Sequence, residues 1–574
     1  MVTKVKADLL IIGMGAAAEM AALYAQDHNP DLNILIVTKA LRGKGGCSRM
    51  VQGGFNVVLN PEDSHEKHFM DTLKGGQYLN DQDLAKTLVE EATPTIKEME
   101  TKFGCFFDRN PDGTIHQKAF AGQVFDRTVH KGDLTGIEII SRLTEQVMKR
   151  RIPVLEECRA VELLLDEGGE MVTGALLLNM RRGEFIVAEA AATLMATGGG
   201  PTHYRFHAPG PEKSVDGLAM LYRAGAVMRD MEMLQFHPTG LIVPGSVVAG
   251  ALLEEGLRGA GAYLYNGVGE RYMLRYAPEV GERATRDVVS RSSYLEMMAG
   301  RACPEGGVHI DASHLGADFV LENFPGMAER CQQFNYDLAG GRVPVGPTAH
   351  YYMGGAVIDT GGKATPEKLF VAGEDSGGVH GANRLGGNGI CDSCVYGRLT
   401  GKALGRYLAN GNRTIKETRR GQVEETMARL QAPFGRASGP DPFVLRKQIQ
   451  ELNWNKVGVA RREPDLSEAL NEIEAIAAEL DRVSVTGGAA YNMMYNTFLD
   501  LNSMVDTTRM TAFAARLREE TRGAHFRQDF PEQRDDYGLF NIYLSRGEDG
   551  LPLARREPVV FKHKSLEECQ GYRK

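Results

Sequence analysis

Apolar residues in this chain gather in short unbroken runs, and several of those runs end in glycine. Asp8-Leu9-Leu10-Ile11-Ile12 is a continuous apolar segment of the kind a strand covered on both faces requires, and Gly13 follows at once. Residues 19–26, rich in alanine, methionine and leucine, predict a helix, and residues 33–37 predict a second strand at the spacing of a β-α-β unit. A loop of repeated glycine follows that strand, from Gly43 to Gly54. Strand-like runs meet glycine again at Ala196-Thr197-Gly198-Gly199-Gly200 and at Leu369-Phe370-Val371-Ala372-Gly373-Glu374-Asp375. Four such junctions, spread from Gly13 to Gly373, imply one nucleotide-binding domain assembled from distant segments, with residues 238–347 inserted between them. After about Thr400 the pattern changes to charged amphipathic helices, such as 423–430 and 466–480, and predicts a separate helical domain.

Composition sharpens this picture at three points. Glycine supplies 67 of 574 residues, about 12% where about 7% is usual, with no collagen-like period. That excess suggests many tight turns or close approaches of backbone to a ligand. The formal charge of −9 counts against nucleic acid as a partner. No stretch is long and apolar enough to span a membrane as a helix, and the first residues lack a signal-peptide pattern, so a cytoplasmic location is expected. The eight cysteines are too scattered for a disulfide framework. Cys391 and Cys394 form one CxxC without a second pair, a poor zinc signal, and two packed helix cysteines are expected there rather than a metal or a redox dithiol.

The first junction, Gly13-Met14-Gly15-Ala16-Ala17-Ala18, is a GxGxxA variant of the dinucleotide fingerprint. Gly13 permits the turn, Gly15 lets a pyrophosphate approach the backbone, and Ala18 lets helix and strand pack closely. A plain β-α turn of small residues is the alternative. The second strand ends in Thr38-Lys39 and lacks the acid that usually holds a ribose, which weakens a nicotinamide reading. A second group of segments is cationic: Gln235-Phe236-His237-Pro238-Thr239-Gly240, Pro347-Thr348-Ala349-His350-Tyr351, and His380-Gly381-Ala382-Asn383-Arg384-Leu385-Gly386. Singly, each His or Arg is a commonplace structural residue. Converging, two imidazoles and a guanidinium suit a small dianion.

These strings, in this order and with Arg522-Gly523-Ala524-His525, resemble the flavoprotein subunits of succinate dehydrogenases and fumarate reductases, together with the related L-aspartate oxidases. The resemblance runs from Asp8 to about Asp536. It implies an α/β fold: a Rossmann-like FAD-binding domain (1–236 and 351–410), an inserted α+β capping domain (237–350), a helical domain (411–525) and a C-terminal segment (526–574). It implies FAD, held by Gly13, Gly15, Ala16, Ala17, Ala18, Thr38, Lys39, the loop with Gly46, Cys47, Ser48, Gln52, Gly53 and Gly54, then Thr197, Gly198, Asp216, Glu374, Gly389 and Ile390. It further implies that His237, His350 and Arg384 position a dicarboxylate, that Arg286 is the proton donor, and that Glu255 and Arg258 form the relay that reprotonates it. An ion pair of Arg286 with Asp287 or Glu282 is the structural alternative. With no iron–sulfur cysteine pattern of its own, the chain is expected to work with an iron–sulfur subunit or a diffusible donor.

Departures from the family pattern bear on the substrate. Cys47 stands where membrane-bound members carry a flavin-linking histidine, so noncovalent FAD is expected, with a lower potential that favours fumarate reduction. That loop is more similar to soluble fumarate reductases of anaerobes, some of them thiol-driven. Glu254 replaces a threonine that helps bind a substrate carboxylate, and an anion there would repel one unless it points away or is protonated. Ala260 replaces a frequent glutamate. Phe120, in Phe120-Ala121-Gly122-Gln123, stands where aspartate oxidases place a glutamate for the substrate ammonium, and favours an unsubstituted dicarboxylate. The expectation is fumarate–succinate interconversion, with an oxidase or reductase of L-aspartate or a substituted succinate as the alternative.

Overall fold

Residues Leu9 to Ile12 are almost wholly excluded from solvent, as an apolar run without alternation demands of a central parallel strand. The computed structural model describes residues 2–210 and 212–572. The strand Thr3–Ile12 pairs in parallel with Ile34–Val37 on one side and with Glu184–Met195 on the other. Val154–Leu155 continues the sheet beyond Ile34–Val37, and Leu369–Val371 continues it beyond Glu184–Met195, again in parallel. The order of these strands reverses between Thr3–Ile12 and Glu184–Met195, and open α/β sheets bind ligands outside the carboxyl ends of strands at such a point. An antiparallel pair, Cys158–Leu165 and Val172–Asn179, completes the seven-stranded sheet.

Register fixes the switch point closely. Ile12 lies opposite Met195, so Gly13 and Ala196 leave the sheet side by side. A Cβ on Gly13 would sit 2.1 Å from the Ala196 carbonyl oxygen, and its φ of +115° belongs to glycine. The helix Ala16–His28 starts there, and it packs along the helix Asn388–Ala409. Their contact is unusually close because Gly397 and Gly401 present no side chain. A Cβ at these positions would lie 2.6 Å from the Ala17 oxygen and 2.5 Å from the Ala21 oxygen. The glycine stripe therefore brings the N-terminal ends of both helices to one place, the edge of the sheet.

A second apolar core forms around Leu241, Leu264, Val289, Ile310, Met327 and Val345. Its antiparallel sheet runs in the order Leu234–Leu241, Arg342–Tyr352, Val308–Asp311, Tyr263–Tyr265. The first two of these strands are the two crossings between the cores, and His237 and His350 lie on them.

The predicted helices extend a few residues beyond their sequence limits, as Gln422–Gln431 and Glu463–Leu480. Pro442–Lys456, Glu463–Leu480 and Met493–Leu517 pack on one another, but their core is continuous with that of the seven-stranded sheet. The helical region has no core apart. The last segment also returns: Phe540–Arg546 and Pro552–Pro558 form a hairpin beside Met228–Arg229, and Leu566–Gly571 packs on His65–Gly75. Trp454 is a packing residue, edge-on to Phe206 and Phe236. Cys391 and Cys394 are buried in the helix Asn388–Ala409, and burial pushes both thiols well above their usual pKa. No helix of the described residues is long and apolar enough to cross a membrane.

Gly401→Val tests the helix contact. It should cost about 1–3 kcal/mol of stability, read as a lower unfolding temperature, and should increase flavin loss on gel filtration.

Candidate active site

A cavity of about 440 Å³ opens at the carboxyl ends of the central strands, within the range of ligand sites. Gly15, Ala17, Gly46, Cys47, Ser48, Gln52, Gly53 and Gly54 form one wall, with Thr197, Gly198, Glu374, Gly389 and Ile390 facing them. A smaller neighbouring cavity is lined by Gly13, Thr38, Lys39 and Asp216. The helix Ala16–His28 has no side-chain cap at Gly15, although the Ala16 N–H donates to Ser48 Oγ at 3.2 Å. Its free N–H groups suit an anion such as a pyrophosphate. Ala18 is buried in the core behind the wall, where it packs rather than lines.

The far end of the larger cavity is cationic. Arg384 Nη2 lies 2.8 Å from His350 Nε2, and the His237 and His350 rings meet edge to face with centroids 5.4 Å apart. Gln235 joins two halves of the site: its Oε1 accepts from Arg384 Nη2 at 3.2 Å and from Arg286 Nη1 at 3.1 Å. Arg286 Nε donates to Glu255 Oε2 at 2.7 Å, and Arg258 Nη2 stands 3.8 Å from the other Glu255 oxygen. Arg258 also donates to the Glu282 carbonyl at 2.6 Å. Arg286 thus pairs with Glu255. Asp287 instead accepts from Asn383, and the Glu282 carboxylate is taken by Arg271.

Burial of so many cations sets their protonation. Burial, then repulsion from Arg286, brings Arg384 down to about 10. Burial and nearby guanidiniums push His237 and His350 well below their usual pKa, so both rings are neutral. Burial opposes the Glu255 carboxylate, but Arg286 and Arg258 outweigh it and hold its pKa below the ordinary value.

The comparisons with known proteins agree with this geometry. A model described as "FAD binding domain" matches residues 8–390, and one described as "Fumarate reductase flavoprotein C-term" matches 446–570. The chain belongs to the fumarate reductase and succinate dehydrogenase flavoprotein family. It is 38% identical to one subunit of the fumarate reductase (CoM/CoB) of Methanothermobacter marburgensis, over 94% of this chain and 97% of that one. It is 30% identical to the fumarate reductase flavoprotein subunit of Haemophilus influenzae over 97% of this chain and 94% of that one. A solved quinol fumarate reductase of E. coli superposes with a TM-score of 0.91 at 29% identity, covering 98% of both chains.

Like its family, the chain is an FAD-dependent oxidoreductase. The cavity fits that cofactor in kind: glycine-lined walls let backbone approach a flat ring, and an uncapped helix N-terminus serves a pyrophosphate. Lys39 and Asp216 form an ion pair at 2.6 Å, and Arg159 joins Asp216 at 2.8 Å. Glu374 is buried in the wall, and burial pushes its carboxyl up to about 7.

Two residues expected at the substrate stand elsewhere or differently. Gln123 does not line the cavity; its amide donates to the Gly386 carbonyl at 3.1 Å and steadies the turn after Arg384. Glu254 does line it, but Lys118 Nζ holds one of its oxygens at 2.7 Å. That pair offsets the repulsion a lone carboxylate would exert on an anion. Phe120 packs beside Gly53 and Gly386, where a Cβ on either glycine would meet its ring. Sequence reasoning missed Lys118, the bridging role of Gln235, and Lys213, which lines both cavities. Gln235 adjoins His237 within a quoted motif, so its position was visible; Lys118 lies 136 residues from its partner and carried no signal.

Glu374 gives a pH test. Its folded pKa is raised above the usual 4.5, so its contribution to stability is fully present below 4.5 and lost as pH rises through 7. The loss should be on the order of 3 kcal/mol for the flavin-free chain. Urea unfolding across that window should show it in the wild type and not in Glu374→Gln.

Proposed function

We propose that the chain interconverts fumarate and succinate as the catalytic subunit of a larger enzyme, with Arg286 as the proton donor. The carrying observation is the unbroken line His350–Arg384–Gln235–Arg286–Glu255 along the wall of one cavity. Arg384 keeps its buried Nε–H without a partner among the described residues and so available to a carboxylate, and the neutral His237 and His350 add directed N–H groups without further charge. These cations favour a dianion and stabilise the negative charge that develops on it as the double bond is reduced. Bound FAD supplies the hydride equivalent. Arg286 delivers the proton to the neighbouring carbon, and Glu255, already bonded to Arg286 Nε, returns one to it. Guanidinium is a poor acid in water, and the transfer depends on that short contact with Glu255. Arg258 borders the relay on its inner side.

The flavin is held without a covalent bond, since Cys47 occupies the position where family members that link flavin carry histidine. Electrons reach it from a partner subunit, as the word subunit in the relatives' names supports, and an iron–sulfur protein suits that role because this sequence carries no iron–sulfur cysteine pattern. L-Aspartate as substrate is disfavoured by Phe120, which offers an ammonium no carboxylate, and by the engagement of one Glu254 oxygen with the Lys118 cation.

An anaerobic assay of the flavin-loaded chain with reduced viologen should show turnover of fumarate. Peroxide production from L-aspartate without fumarate turnover would instead establish the oxidase. Arg286→Ala should lower kcat by about 10³-fold or more while flavin stays bound; undiminished turnover would refute the assigned role.

A further inference from the structure

The lone CxxC of Cys391 and Cys394 is core packing, but a different cysteine has the company a metal needs. Cys303 and Glu305 lie on the turn that leads into the strand Val308–Asp311, and His309 lies on that strand, beside the second core. Their ligand atoms, one thiol sulfur, one carboxylate oxygen and one imidazole nitrogen, all fall within 4.8 Å of one another. It is the only such set among the described residues.

The backbone holds this set in place. The Cys303 N–H donates to the Gly307 oxygen at 2.7 Å, and the Gly306 N–H donates back to the Cys303 oxygen at 2.8 Å. Gly306 takes a φ of +95° to close the turn. Cys303 is buried, and Glu305 and His309 are half-buried. Glu305 Oε2 and His309 Nδ1 are both sealed from water; the Glu305 carboxylate faces the Cys303 thiol, and His309 Nδ1 has no hydrogen-bond partner among the described residues. Glu305 and His309 approach to 4.0 Å, too far to satisfy each other. Buried polar atoms rarely go unpartnered without a reason.

We propose that Cys303, Glu305 and His309 bind one zinc ion per chain, with water as its fourth ligand. A thiolate and an imidazole select a borderline-soft ion over calcium or magnesium, which prefer oxygen alone. Bonds of about 2.0–2.3 Å to zinc require the three atoms to draw in slightly from their present spacing. Binding expels the thiol proton to solvent, leaves the imidazole neutral and the carboxylate ionised, and involves no oxidation or reduction. The ion ties the turn to the first residues of its strand and steadies the second core. It takes no part in the flavin chemistry.

The test is cobalt(II) titration of the flavin-loaded enzyme after chelation and thiol reduction. One equivalent should bind with a sulfur-to-cobalt charge-transfer band and a tetrahedral band in the red, where oxidised flavin is transparent, and zinc should displace it. Cys303→Ser should abolish the charge-transfer band, and His309→Gln should weaken cobalt binding at least about tenfold. Both variants should keep the flavin spectrum and turnover of the wild type. Should the buried Cys303→Ser fail to fold, His309→Gln at its half-buried position carries the test. A wild-type chain that takes up neither cobalt nor zinc, or binding unchanged in the variants, overturns the proposal.

Discussion

Three guanidinium groups are withdrawn from water together, those of Arg286 and Arg384 on the cavity wall and that of Arg258 off its lining, and Glu255 is the carboxylate set among them. The wall's own residues are therefore short of negative charge. Much else follows from that imbalance. The two histidines are neutral because burial disfavours their charged form and the neighbouring Arg286 and Arg384 disfavour it further. Gln235 offers one oxygen to both arginines, and its own amide is held by Asn383 and by the Arg384 carbonyl, so it cannot turn away. The arrangement is held in place by its own hydrogen bonds and suits an anion.

The fold supplies this wall by crossing twice between two cores. Leu234–Leu241 and Arg342–Tyr352 pair with each other, and irregular register between Gln235 and Phe236 and after His237 re-aims their side chains. Arg286 begins a helix in the second core, and Glu255 begins another. Arg384 comes from the loop before the helix Asn388–Ala409 in the first core. Arg286 and Glu255 thus ride on one core, while Arg384 rides on the other. Their meeting at Gln235 depends on how the two cores sit.

Much of this was legible in the chain because cofactor contacts need local backbone freedom, and glycine writes that need into sequence. The turns at Gly13, Gly53 and Gly198 could be read that way. Part of the glycine excess had another cause, since Gly397 and Gly401 serve helix packing. Hidden features were those made by contacts between distant segments. Nothing near Lys118 announces Glu254, and nothing in 540–546 announces a strand beside Met228–Arg229. That the helical domain shares its core with the seven-stranded sheet stayed hidden, because amphipathic periodicity reports that a face is buried and is silent about what buries it.

The hairpin Phe540–Arg546 and Pro552–Pro558 carries a consequence for synthesis. Its partner strand, Met228–Arg229, emerges from the ribosome more than three hundred residues earlier, and the hairpin's pairing also anchors Asp230, whose carboxylate meets Asn541 and the Ile542 N–H. Asp230 lies just ahead of the strand that presents Gln235 and His237. The segments that line the flavin cavity are all translated by Ile390, and Met228–Arg229 can already pair with Gly355–Ala356 by then, whereas the hydrogen bonds from Asn541 and Ile542 come only with the hairpin. The hairpin thus adds a late brace to the segment that leads into Gln235 and His237, after the segments of the flavin cavity have been made.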